Sequence, residues 1–289
     1  MKKWIAGAAC ALVSWHALAL QPYAGGTRLG AGDLATVVAA VEQKLVAAGF
    51  TTLGVHMAKG LPKQATVIVS DAGLSNAVKD IGAAAVVGLP IRVGVKADGT
   101  VSYANLEYWE RAYLRKDYGK AEPAVKAAAA KLEQALGSGA AFGGDVKTED
   151  LANYRYMFGM ERFDSGNSLL KEYANFDDAV KTVRDNLAKG VKATSKVYEV
   201  VAPDKKIAVF GVAMNDPEYG EGWWVNKIGA DHVAALPWEV FVVNGKVYAL
   251  YGRFRTALAW PSLGMGQFMG ISIHPDRTRD MLEAVAGVQ

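Results

Sequence analysis

The chain has 289 residues, 51% of them apolar and 21% charged, and carries a formal charge of +3. Such a composition belongs to a folded chain long enough for roughly two domains, and a disordered chain is excluded. A nearly balanced charge with no concentrated basic face also argues against a nucleic-acid binder.

Lys2 and Lys3 precede an apolar run from Trp4 to Ala19 that ends in Ala17-Leu18-Ala19, a small-residue pattern of the kind cut by signal peptidase. Residues 1–19 are therefore expected to be a cleaved export signal, giving a periplasmic or secreted chain that begins near Leu20. The run is shorter than the ~20 residues a bilayer needs, and no later stretch reads as a transmembrane segment. The one cysteine, Cys10, lies in that leader. Its loss would exclude disulfides, thiolate nucleophiles, iron–sulfur clusters and cysteine–zinc sites from the mature chain.

Taken in order, the mature chain reads as two copies of one pattern. Asp33 is placed to cap a helix carrying Leu34, Val37, Val38, Val41 and Leu45 at helical spacing, stopped by Gly49. Asn175 stands in the same relation to Phe176, Ala179, Val180, Val183 and Leu187, with Gly190 as the stop. Strands are expected at 52–57 and 65–69 in the first copy and at 193–201 and 206–213 in the second. Turns follow at Ser70-Asp71 and Asn215-Asp216-Pro217, with a helix over 74–81 in the first copy and an aromatic insertion, 218–224, in the second.

Each copy then presents a hairpin. Leu89 to Ala104 turns at Asp98-Gly99, and Leu236 to Tyr251 turns at Asn244-Gly245. Placing Ile81-Gly82 on Ile228-Gly229 brings Leu89-Pro90 onto Leu236-Pro237 without a gap. Closing helices are expected with Pro123 and Pro275 in their first turns. The domains read as 20–137 and 154–289, joined by a linker over 138–153, with Tyr154 to Phe158 as a strand opening the second copy. Arg92 and Glu107 align with Glu239 and Arg253, so the signs are exchanged. That exchange predicts a cross-strand ion pair within each hairpin, helped in the second copy by a bulge at Gly252.

The ordered features, a helix ending in Gly, a strand leading to Ser-Asp71 or Asn-Asp-Pro217, then Ile-Gly, Leu-Pro and the hairpin, resemble the domain-of-unknown-function 302 family, twice in tandem. The resemblance implies an α/β (α+β two-layer) fold in each copy, a mixed sheet with helices on one face, and intramolecular pairing of the two copies. It supplies no activity. The cysteine that members often carry after the Leu-Pro proline is replaced here by Ile91 and Trp238.

The function expected from these residues is that of an exported, non-catalytic binding protein with its site in the second copy or between the copies. Its partner would be a small-molecule ligand or an envelope protein. Trp223, Trp224, His232 and Trp238 are candidate ligand-binding residues, with Arg253 and Arg255 as polar anchors. A periplasmic copper- or haem-handling role is the alternative. It would use Met265, Met269 and His274, because thioether and imidazole ligands suit Cu(I) when they converge. An enzyme of unrecognised type is the second alternative. No nucleophile elbow, zinc-protease helix or phosphate loop is present, and Gly30-Ala-Gly32 lacks the preceding strand that a dinucleotide fingerprint needs.

Overall fold

The computed structural model describes residues 19–288; the leader expected over 1–19, apart from Ala19, lies outside them, as does Cys10. The chain begins with β1 (Ala19–Leu20), β2 (Tyr23–Gly25), α1 (Leu34–Ala47), β3 (Thr51–His56), β4 (Gln64–Ser70) and α2 (Ala72–Ile81). A 3-10 turn (Ala83–Gly88), β5 (Ile91–Lys96), β6 (Val101–Ala104), α3 (Leu106–Leu114) and α4 (Tyr118–Leu136) follow. Next come β7 (Ala141–Phe142), β8 (Val146–Lys147), β9 (Leu169–Glu172), α5 (Phe176–Lys189), β10 (Thr194–Ala202), β11 (Ile207–Met214) and α6 (Glu221–Ile228). A second 3-10 turn (Val233–Ala235), β12 (Trp238–Val243), β13 (Lys246–Tyr248), α7 (Gly252–Ala259), α8 (Met265–Met269) and α9 (His274–Val285) complete it. Among the described residues no helix is long and apolar enough to cross a membrane.

The strands form two antiparallel sheets ordered β3-β4-β5-β6-β2-β7 and β10-β11-β12-β13-β9, with β1 and β8 as a separate ribbon. Taken in chain order, the first five positions of one sheet match the five of the other. Local chemistry sets the helices against them. Asp33 accepts from the Ala35 amide and Asn175 from the Asp178 amide. Each helix then buries its apolar stripe, Val37, Val38, Val41 and Leu45 in α1 and Phe176, Ala179, Val180, Val183 and Leu187 in α5.

Alternation sorts the strand side chains into two faces. In β5, Ile91, Val93 and Val95 share one face while Arg92 and Gly94 share the other. In β12, Trp238, Val240 and Val242 oppose Glu239 and Phe241. All are buried, because the second faces of the two sheets meet each other. Two of the 3-10 turns cross that seam, the one at 83–88 packing on β11 and β12 and the one at 233–235 on β4, β5 and β6. The layers run helix, sheet, sheet, helix. At Gly94 the approach is too close for any side chain, since a Cβ there would lie 2.7 Å from the Val233 Cβ.

Four expectations need correction. Residues 154–158 form no strand; the second sheet opens instead with β9, which pairs with β13. Residues 138–153 are not a free linker, because β7 pairs with β2 and β8 with β1. Pro123 lies inside α4, which begins at Tyr118, so the missing N–H leaves the carbonyl of the exposed Gly119 without its helical donor. Gly252 is no bulge: it begins α7, where a Cβ would lie 2.7 Å from Pro275 Cα. That helix takes Arg253 off the hairpin. Arg253 pairs with Glu161, and Glu107 with Arg111.

Candidate functional site

The candidate site is a pocket built by two segments far apart in sequence. One wall comes from α7 and the residues after it, where Arg253, Phe254 and Ala257 are followed by Leu263, Met265 and Phe268. The other comes from the irregular stretch between the copies, through Tyr156, Met160 and Glu161. Side chains of that stretch hold it in place: the Tyr154 hydroxyl donates to the Ala257 carbonyl (2.9 Å), the Tyr156 hydroxyl to that of Leu263 (3.1 Å), and Arg253 Nη2 to Glu161 Oε1 (2.6 Å). The cavity volume is about 70 Å³, well below the ~300–1,000 Å³ of drug-sized ligand sites, so the pocket is a narrow slot with an open mouth.

Apart from that ion pair the lining is apolar or aromatic. The hydrogen bond from Arg253 to Glu161 raises the guanidinium's pKa further, so Arg253 stays charged. Arg253 Nε and Glu161 Oε2 are each buried without a partner, leaving one donor and one acceptor on two lining residues. Of the lining Met265 is exposed, and so are Met157, Phe158 (91%) and Met269, its neighbours in sequence or those of Met160 and Phe268. Arg253 Nε and Glu161 Oε2 are both shielded from the cavity, whose accessible wall is almost wholly apolar, so a small apolar group fits this chemistry.

Of the residues singled out from sequence, Arg253 and Met265 reach the pocket. Trp224 and Trp238 are instead fully buried core, 5.5 Å apart between ring centres, and Trp224 packs edge-on to Trp260. Trp223 is half-buried beside Tyr219 and beneath Lys227. His232 Nδ1 donates to the Ala259 carbonyl (2.9 Å) while the ring stacks on Trp260, and burial lowers its pKa. Arg255 is buried at the seam, where it donates to the Ala235 carbonyl and lies over Trp109.

The copper ligand set is not assembled. His274 is fully buried, stacked on Trp224 at 4.2 Å, and its two ring nitrogens face the hydroxyls of Thr256 (3.1 Å) and Thr278 (3.0 Å). Desolvation pushes its pKa down to about 3, which fits a neutral ring exchanging one donated and one accepted hydrogen bond. Met265 and Met269 are exposed, so the three do not offer a shared set of donors. Among the described residues no three His, Cys, Asp or Glu side chains are grouped to hold a metal ion.

The seam holds a second polar constellation. Arg92 pairs with Glu239, Arg255 Nε lies 3.6 Å from Glu239, and all three are buried. Glu110 is buried beside them; desolvation lifts its carboxyl to about 8, with Arg92 acting in the opposite direction. His56 Nε2 and Glu221 Oε2, also buried, meet across the seam at 2.8 Å. No path for a ligand reaches Arg92 or Glu239 directly, both being at most 4% exposed.

Sequence reasoning did not single out Tyr156, Met160, Glu161, Phe254, Ala257, Leu263 or Phe268 as site residues. The available signal was the irregular, aromatic- and methionine-rich stretch after the first copy, which belongs to neither repeat pattern. Searches of protein-family models, of curated proteins and of solved structures find no match to this chain.

Proposed function

We propose that the protein is an exported, non-catalytic binding protein for a small apolar molecule or the apolar end of a larger one, seated in the pocket of the second copy. The observation that carries this reading is the pocket itself, a slot with an apolar wall open at its mouth. The expected export signal fits a ligand met in the cell envelope or outside the cell. Tandem membership of the domain-of-unknown-function 302 family is part of the same proposal, resting on the order of the short motifs, and adds no activity to it.

The test is fluorescence titration of the chain from Leu20 with the neutral apolar probe N-phenyl-1-naphthylamine. Saturable one-to-one binding is expected. It should be lost in Ala257→Phe, which fills the cavity, and in Met265→Asp, which places a charge on an apolar wall that is already half open to water. Near-ultraviolet circular dichroism should be unchanged in Met265→Asp. Absence of saturable binding, or equal affinity in both variants, refutes the proposal.

A further inference from the structure

Arg92 and Glu239 occupy the same place in their two sheets. Each is the second residue of its strand, Arg92 opposite Ile68 in the neighbouring strand and Glu239 opposite Gly211. Where the sheets face each other these equivalent positions meet, as they would on the axis of a two-fold pair. The exchanged signs seen in the sequence therefore serve one bond between the copies rather than a pair within each.

Two further ion pairs repeat the polarity: Lys96 Nζ meets Asp231 Oδ1 at 2.5 Å, and Arg115 Nη1 meets Asp164 Oδ2 at 2.9 Å. Among the described residues, the exposed Lys205–Asp80 pair, at 3.3 Å, runs the other way. Arg255, itself from the second copy, flanks Glu239 and leaves the Arg92 contact in place. If two first copies met through this face, Arg92 would lie against Arg92 in a buried site. Two second copies would set Glu239 against Glu239. Like charges brought together out of water are strongly unfavourable, whereas matched apolar surfaces alone would not discriminate.

We propose that these charges make the seam heterotypic: a first copy accepts a second copy and rejects another first, so the chain pairs with itself and like copies of separate chains do not associate. The charge pattern thus selects the partner, while the 3-10 turns at 83–88 and 233–235 pack across the seam on the opposite sheets.

Two arms test this with the chain from Leu20. In the first, urea midpoints are measured for Arg92→Glu, Glu239→Arg and the double reversal. Each single change is expected to lower the midpoint sharply, and the double reversal to regain at least half of the summed loss. A double variant that loses as much as the two singles together overturns the proposal. If the buried singles do not fold, the same cycle on Lys96→Glu and Asp231→Lys gives a smaller effect of the same sign at the exposed end of the seam.

In the second arm, R92E and E239R chains are unfolded and refolded together. Exchange of halves between them creates two matched seams, one in which both charges are reversed and one in which neither is. A one-to-one dimer is expected by light scattering, with a midpoint above that of either variant alone. A mixture that behaves as the sum of its two components refutes partner selection by charge.

Discussion

The two copies share a strand order and differ in how they close. After its hairpin the first copy runs through α3 into α4, a 19-residue helix that buries Tyr118, Ala121, Val125, Ala128, Leu132 and Leu136 along one stripe. The second copy breaks the same passage into α7, the five-residue α8 and α9, α8 lying within the otherwise irregular stretch 260–273 that joins the other two. One copy is closed by a continuous helix. The other is left with a gap that the 154–163 stretch borders without filling, and the pocket is that gap. Two halves with one strand order thus differ in closure, and the candidate pocket lies where the second departs from the shared pattern, as loops and irregular segments are where binding is usually found.

The contrast is sharpened most by the tryptophans. Trp224→Ala should destabilise the fold by about 3–5 kcal/mol, as removal of a fully buried aromatic side chain does, with equilibrium urea denaturation as the measure. An unchanged midpoint would mean that the second copy's core does not depend on it.

Next in size is the pH dependence, which separates seam from second-copy core. His274 is held near 3 when folded against an ordinary 6.5, so the unfolded chain takes up its proton first and stability falls as pH drops from about 6.5 towards 3. Glu110 has its folded value raised from 4.5 to about 8. The folded chain therefore keeps a proton that the unfolded chain releases, and stability falls as pH rises from about 4.5 to 8. Each group alone contributes about 5 kcal/mol over its full range, but the two cancel where the ranges overlap, leaving flanks of about 2 kcal/mol each, near pH 3–4.5 and 6.5–8. A plateau between about 4.5 and 6.5 is expected in a denaturation series, the acid flank flattened in His274→Gln and the alkaline flank in Glu110→Gln. A flank that persists in its own variant assigns it to another group.

A smaller effect probes the closeness of the two sheets. Gly94→Ala should cost about 1–3 kcal/mol by overpacking against Val233, measured by thermal denaturation. Smallest is Trp223→Ala. The ring is half-buried on the surface of α6 and outside the pocket lining, so the change should cost less than about 1 kcal/mol and leave probe binding intact. Loss of binding there would move the site away from the pocket.

Most of the architecture was legible because each element announces itself within a short window. The stripes of α1 and α5, their Asp33 and Asn175 caps and the two hairpins follow from period and turn chemistry, and the structure shows them within a residue or two. The pocket was not legible, since Tyr156 and Glu161 meet Arg253 and Leu263 across about a hundred residues and no local pattern marks that meeting. The aromatic residues misled for a related reason. Their abundance in the second copy was visible, but only the alternation of β12 against its helices decides that Trp238 and Trp224 pack inward. The charge exchange between Arg92 and Glu239 was read correctly as complementarity and wrongly as contact within each hairpin, because register alone does not say that two sheets lie face to face.

The crossing 3-10 turns also bear on how the chain is made. Each turn completes the hydrophobic cover of the other copy's sheet, so neither sheet is dry until both exist. During synthesis the first copy, ending near Leu136, must wait for β12, which ends at Val243. At about 5–20 residues per second that interval is roughly 5–20 s, long compared with collapse. Throughout it the face bearing Arg92 and Gly94 lacks its cover. If the leader expected over 1–19 directs export, the chain would be carried through this interval unfolded, and both halves would reach the far side before either is required to fold.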